Sequence, residues 1–244
     1  MGEPDESGVD DLTQVAQDYL KAIWSATEWG GPPITTKGLA ARFATSAANV
    51  SDTMRRLANQ GLVTYEPYRP AALTERGARL AVAMVRRHRL IETFLAEVLG
   101  YAWHEVHEDA ERLEHATSED FLDRIDRLLG HPLFDPHGDP IPDPGGTWKP
   151  PPDAVRLSEA PAGRYRVVRV SDANPDVLTR LGRCGTLPGA LLERSAHTPP
   201  VIRIEGSPVD LRPEDLEAVR VQPMGTVLPS RFLPPRSTAV GRSD

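Results

Sequence analysis

The sequence predicts a mainly α-helical protein that carries a small β domain, and three observations lead there. Helical periodicity runs from Leu12 to about Leu133 with one β-like interruption. A stretch in which prolines and glycines preclude regular structure, LFDPHGDPIPDPGGTWKPPPD, follows it. Beyond that the period drops to two, in short valine-rich pieces separated by turns.

The elements follow in order. MGEPDESGVDD is acidic and poor in apolar residues, so disorder is expected over residues 1–10. Leu12, Val15, Leu20, Ile23 and Trp24 give an amphipathic helix from about Leu12 to Thr27. Two short helices follow, Thr36 to Phe43 and Ser46 to Asn59, each opened by a hydroxyl residue able to cap it. Only a tight turn separates them, which is a helix-turn-helix, and LVTYEPYRPAALT then supplies two strand-like pieces of a wing. A long helix spans about Glu75 to Leu99, and a further helix after Gly100 carries VHEDAERLEHATSED. RYRVVRV, TLPGALLE, VIRIEG and AVRVQP read as strands of a small barrel or sandwich, and VLPSRFLPPRSTAVGRSD returns to disorder-like composition.

Composition narrows the function. A chain of 244 residues with 39% hydrophobic and 26% charged residues is ordinary for a soluble protein. It has neither a long apolar run nor a signal-like N-terminus, so a cytoplasmic protein with no membrane partner is expected. The single cysteine, Cys184, excludes an intrachain disulfide and a zinc ribbon, so a bound metal would be held by nitrogen and oxygen. The net charge of −7 opposes general nucleic-acid binding, so positive charge for DNA must be local.

That charge is found between Ile34 and Pro70, where Lys37, Arg42, Arg55, Arg56 and Arg69 face only Asp52 and Glu66. A helical hairpin in a bundle core is the plain alternative for this segment. The small polar start of the second helix, Ser46, Asn49, Ser51 and Asp52, favours a DNA reader, because short hydrogen-bonding side chains there can reach base edges, with Ala47 and Ala48 as contact candidates beside them.

If VHEDAERLEHATSED is helical throughout, His107, Glu111, Glu114 and His115 share one stripe. Such a stripe is often only a solvated face, but His88 and Glu92, four residues apart on the preceding helix, add donors at a ligating spacing. A zinc hydrolase is the remote reading. It fails on HEVHED, where the HExxH motif would need histidine at the places of Glu108 or Glu111.

DYLKAIW, SAANVSDTMRRLANQGLV, LTERGARLAVAMVRRHRLIETFL, VHEDAERLEHATSED and GDPIP, in this order, resemble the metal-dependent repressors of the diphtheria-toxin-repressor type. The β-rich end is similar to the SH3-like (FeoA-like) domain of the longer members, so the likeness spans nearly the whole chain. It implies a winged-helix DNA-binding domain over 11–74, a helical metal-binding and dimerisation domain over 75–143, a Pro-rich linker over 144–152, an SH3-like β-barrel over 153–223 and a disordered tail over 224–244. It implies a primary metal position at Asp18, Glu111, Glu114 and His115. An ancillary position would use His88, Glu92 and His107, with Asp172 and Asp176 as candidates from the tail domain.

Iron-responsive members of that type carry methionine at the place of Asp18 and cysteine at that of Glu111, whereas manganese-responsive members carry acids at both. Compact manganese regulators put a glutamate where this chain has Lys21. Carboxylate and imidazole donors suit Mn(II) but do not exclude Fe(II), Co(II) or Zn(II) in vitro. The expectation is therefore a Mn(II)-dependent repressor, not an enzyme, that binds double-stranded operator DNA as a homodimer and takes no small-molecule substrate. An Fe(II)-dependent repressor is the alternative.

Overall fold

The computed structural model describes residues 8–66 and 69–225, which form two compact units. The first comprises residues up to His88 together with Arg112–Thr117 and Pro142–Trp148; the second takes the rest.

The first unit is built on capped helices. Thr13, Thr35 and Ser46 accept hydrogen bonds from Ala16, Gly38 and Asn49 backbone N–H groups and open α1 (Gln14–Glu28), α2 (Thr36–Arg42) and α3 (Ala47–Asn59). Each such cap stabilises its helix by about 1 kcal/mol. Between α2 and α3 the chain turns through Ala44 at φ 48°, and Thr45 N–H donates to the Ala40 carbonyl. Leu20, Ile23, Leu39, Val50, Met54, Leu57 and Leu62 join in one core, and the Tyr19 and Phe43 rings stack 4.5 Å apart. Burial of each such aliphatic side chain contributes roughly 1.5–3 kcal/mol.

The wing is the antiparallel pair β1 (Val63–Thr64) and β2 (Ala72–Leu73). It leads into α4 (Glu75–Glu97), which supplies Leu80, Ala81 and Met84 to the same core. Gly77 is required there, because a Cβ would lie 1.9 Å from the Leu62 carbonyl oxygen.

Residues 8–10, where disorder was expected, are structured. Val9 is buried in a single 3-10 turn, the Gln17 amide donates to its carbonyl at 2.9 Å, and Asp10 pairs with buried Arg87 at 3.0 Å. Residues 1–7 and 226–244, where disorder was also expected, lie outside the described residues, as do the wing residues Pro67 and Tyr68. Part of the Pro-rich segment packs too: Trp148 meets Trp24 edge-on at 5.3 Å, and Arg86 donates to the Pro142 carbonyl at 2.7 Å.

In the second unit, α5 (Val106–Leu113) and α6 (Glu119–Leu128), with the end of α4, bury Ile91, Leu95, Val106, Ala110 and Leu122 together. Helix α5 stops at Leu113 and Ser118 caps α6, so Glu114 and His115 stand in the intervening turn instead of continuing a helical stripe.

The β domain holds β3 (Val155–Arg156), β4 (Gly163–Val170), β5 (Leu191–Arg194), β6 (Ile202–Ile204), β7 (Ser207–Val209) and β8 (Val219–Pro223). Helices α7 (Pro175–Arg183) and α8 (Pro213–Ala218) complete it. The strands pair antiparallel in the order β3-β8-β4-β5-β6-β7. This corrects the expected barrel: the edge strands β3 and β7 are two and three residues long and do not pair with each other, so the described sheet stays open.

One irregularity positions chemistry. The β4–β8 register shifts between Val167 and Arg169, leaving Val168 as a bulge residue. The loop Asp135–Asp139 rests against this place, with Gly138 at φ 88°, where a Cβ would lie 2.0 Å from the Val168 carbonyl oxygen. Val170 N–H donates to the His137 carbonyl at 2.9 Å.

Candidate metal centres and DNA-reading helix

Helix α3 buries Val50, Thr53, Met54 and Leu57 and exposes Ser46, Ala47, Ala48, Asn49, Asp52, Arg55 and Arg56. Ser51 is half-buried: it receives the Tyr65 hydroxyl from the wing side at 3.1 Å and donates to the Ala47 carbonyl at 2.9 Å. Arg55 pairs with Asp52 on the same face. Lys37 is exposed on α2, and exposed Arg69 pairs with Glu66 at 3.3 Å. Every DNA-contact candidate except Ser51 is thus open to solvent.

Within the first unit, Asp18 on α1 meets Glu114 and His115. His115 Nε2 lies 3.1 Å from Asp18 Oδ1 and 3.7 Å from Glu114 Oε1. The orientation of that imidazole has a traceable cause. Gln17 donates its amide N–H groups to the Val9 and Leu12 carbonyls at 2.9 and 3.2 Å, so its oxygen faces His115 Nδ1 at 2.7 Å. The oxygen can only accept, which places the proton on Nδ1 and turns the Nε2 lone pair toward the carboxylates. An outer partner that fixes a ring in this way is characteristic of metal-ligating histidines.

Glu114 is fully buried and anchored twice: Lys21 Nζ lies 2.5 Å from Oε1 and His88 Nδ1 lies 2.6 Å from Oε2. Gln17 and Lys21 were not foreseen as parts of this site, because only the fold brings them to residues some 90 positions away.

In the second unit, His107 Nδ1 on α5 lies 3.2 Å from Glu92 Oε1 and 3.3 Å from Asp172 Oδ2, and its Nε2 lies 3.6 Å from Glu111 Oε1. Burial alone would depress His107, but the hydrogen bonds and charges of Asp172 and Glu92 outweigh it and push the imidazole up to about 10. Burial raises Asp172 in turn, but His107 and His137 override that and hold its carboxyl well below the ordinary carboxylate range. Asp176 does not join. Asn174 caps α7 with Pro175 after it, which leaves Asp176 exposed on the first turn and outside every candidate cluster among the described residues. Asp135 and His137, not singled out from the sequence, form a further buried cluster with Glu92.

The clusters offer only imidazole and carboxylate, and Cys184 sits at the end of α7 in none of them. Donors of this kind fit a hard or borderline divalent cation.

Comparison with known proteins gives these features a context. Residues 11–71 match the N-terminal DNA-binding domain of iron-dependent repressors, residues 74–143 their metal-binding and dimerisation domain, and residues 155–223 a FeoA domain. The iron-dependent repressor IdeR of Mycobacterium tuberculosis is 36% identical over 197 residues, covering 75% of this chain and 84% of its own. The chain belongs to the iron-dependent repressor family. Members are transcriptional repressors and not enzymes, and this one is a metal-dependent transcriptional repressor of the IdeR and diphtheria-toxin-repressor kind. A solved manganese-dependent transcriptional repressor in complex with manganese superposes with a TM-score of 0.78 at 44% identity, covering 84% of this chain and 98% of that one. ScaR with bound zinc superposes with a TM-score of 0.73 at 33% identity, covering 86% and 99%. No helix among the described residues is long and apolar enough to cross a membrane.

Proposed function

We propose that the chain is a Mn(II)-responsive repressor that binds operator DNA as a homodimer in the cytoplasm. The observation that carries the reading is the sulfur-free cluster of Asp18, Glu114 and His115, whose imidazole is already turned toward the carboxylates. Following the family likeness, Glu111 would join the same proposed position, and His88 would join Glu92, His107 and Asp172 in an ancillary one. A divalent cation held there by Asp18, Glu114 and His115 would add its positive charge to that of the Lys21 ammonium.

What the chain contributes is connection. Asp18 stands on α1, whose apolar face shares a core with α2 and α3, and Glu114 and His115 stand in the turn beyond α5. Restraining that turn against α1 fixes the platform of the reading helix, so metal occupancy and operator affinity are linked by population shift. For the homodimer, support comes from Val98, Leu99, Tyr101, Phe121 and Leu128, exposed apolar side chains of the second unit. Residues 11–74, 75–143 and 153–223 would serve as the DNA-binding, metal and dimerisation, and FeoA-like parts, with 144–152 between the last two. A Fe(II)-responsive repressor is the second reading, favoured by the relatives named iron-dependent.

The deciding experiment is anaerobic titration of a selected operator with Mn(II), Fe(II), Co(II) and Zn(II). Wild type should gain roughly 5–150-fold in operator affinity with its cognate ion over chelated protein. Glu111→Cys with Asp18→Met should shift the half-maximal concentrations away from Mn(II) and toward the others. Equal operator affinity with and without chelator would sink the metal switch, and an unchanged Mn(II) to Fe(II) ratio in the double variant would sink the manganese assignment.

A further inference from the structure

One stripe of α1 is held at three places. Gln17, Lys21 and Trp24 stand at i, i+4 and i+7, which brings them to one side of the helix. Gln17 faces His115 at 2.7 Å and Lys21 faces Glu114 at 2.5 Å, so the first two reach the turn that carries metal donors. Trp24 reaches a different segment. Its ring meets that of Trp148 edge-on, with centroids 5.3 Å apart and planes at 72°, and both segments lie in the same compact unit as α1.

The segment that presents Trp148 is a built loop despite its prolines and glycines. Asp143 N–H donates to the Thr147 carbonyl at 2.9 Å, Thr147 N–H donates to Asp143 Oδ1 at 2.8 Å, and Gly146 N–H donates to the Asp143 carbonyl at 2.9 Å. The loop also lies on α4. Arg86 donates to the Pro142 carbonyl at 2.7 Å, and Gly146, at φ 78°, comes so near that a Cβ on it would stand 3.6 Å from Val82 Cγ1. Helix α4 thus carries the loop, and the loop holds out Trp148 to α1. This is a clasp between α1 and α4 that needs no metal.

We propose that Trp148 is a positioning residue of the metal switch: by meeting Trp24 it holds α1 where Asp18 can share a cation with Glu114 and His115. The proposal rests on the metal-dependent reading given above. Its physical basis is that all three contacts sit on one stripe of a rigid helix, so an α1 that leaves the turn at Glu114 leaves Trp148 as well. The aromatic pair therefore belongs to the closed arrangement and enlarges the closed fraction of the metal-free chain. The metal concentration for half-occupancy falls by the same factor, whereas nothing is gained once metal has closed every molecule. An edge-to-face ring pair shifts such an equilibrium about 2–10-fold.

The test compares Trp148→Ala and Trp148→Phe with wild type in the full chain. The hydrogen bonds that shape the loop use none of the Trp148 side chain, so both variants keep it. Mn(II) binding is followed by titration calorimetry, and operator affinity is measured at saturating Mn(II). Trp148→Ala should need about 2–10-fold more Mn(II) for half-occupancy of the Asp18 cluster and bind operator as wild type does once saturated, and Trp148→Phe should restore most of the loss. Near-ultraviolet circular dichroism reads the clasp without DNA: Mn(II) should add a tryptophan signal in wild type that Trp148→Ala lacks. An unchanged Mn(II) midpoint in Trp148→Ala overturns the proposal and leaves the repressor reading standing. So does an equal loss of operator affinity at every Mn(II) concentration, which would make Trp148 a structural prop alone. A wild type whose operator affinity ignores Mn(II) overturns the metal switch and the proposal with it.

Discussion

The charged clusters of the two units use the same side-chain types and differ in what balances their charge. In the first unit the buried carboxylate Glu114 has an ammonium, Lys21, at 2.5 Å. In the second, Glu92, Asp135 and Asp172 face the rings of His107 and His137, both pushed up to about 10 by those same carboxylates despite burial. The ammonium is not among the proposed ligands, whereas an imidazolium must shed a proton before it can ligate a metal. The first cluster therefore meets a metal ion with a resident cation in place, and the second meets it with exchangeable protons.

Removing the fixed cation is the most disruptive way to break the contrast. Lys21→Met leaves Glu114 buried without its ammonium, and loss of one partner of a buried pair costs about 3–5 kcal/mol. The metal-free variant should melt well below wild type in a thermal scan, and saturating Mn(II), able to take over the balancing role, should raise its Tm by more than it raises that of wild type. An unchanged metal-free Tm would show that Lys21 is not what holds Glu114 in the core.

The clusters also differ in how their rings are aimed. Gln17, a side chain, orients His115, while the main-chain carbonyl of Trp103 orients His137. Gln17→Leu should thus weaken Mn(II) binding at the first cluster by about 10–100-fold and leave uptake in the second unit intact. Calorimetric titration separates the two. Wild-type affinity in the variant would mean that ring orientation there is set by something other than Gln17.

The same distinction explains how much could be read from the chain. Ser46 and Thr36, hydroxyl residues before apolar-periodic runs, announced α3 and α2, because capping and periodicity are local, although the residue that caps α2 is Thr35. Glu114 and His115 were singled out by an assumed helical stripe, whereas Asp18 and Asp172 were found only through likeness to a family. Asp176 was misplaced for want of the Asn174-Pro175 cap, which turns it outward. His137 looked like part of a linker, since the contact that gives its loop a structure is a bulge on a strand 30 residues later. Nor could the spacing in VHEDAERLEHATSED reveal that α5 ends at Leu113, because Glu114 and His115 are held by Lys21, His88 and Gln17 from distant positions. The open sheet escaped for a like reason: strand periodicity marks strands but not whether the edge strands meet.

The smallest expected effect is the one that tests the protons directly. His107 and His137 are raised in the folded chain from an ordinary 6.5 to about 10, so the stability they contribute is complete below pH 6.5 and is lost as pH rises through about 10. Asp135 acts in the same direction: burial, reinforced by Asp139 and Glu92, pushes it up to about 8, so its share is lost between pH 3.8 and 8. Asp172, whose carboxyl is depressed, has the opposite sign, and its share is lost only in acid, below the ordinary range. Between pH 6.5 and 9 His107, His137 and Asp135 lose protons in the folded chain, and the stability they contribute falls. A tenfold change in proton affinity is worth about 1.4 kcal/mol, but the His107 ring is one-third exposed and screened, so a loss on the order of 1–3 kcal/mol is expected. Urea denaturation of chelated protein at the two pH values measures it. His107→Gln should flatten the slope. A metal-free protein equally stable at both pH values would mean that the second unit does not hold its carboxylates with protons, and the difference between the clusters would disappear.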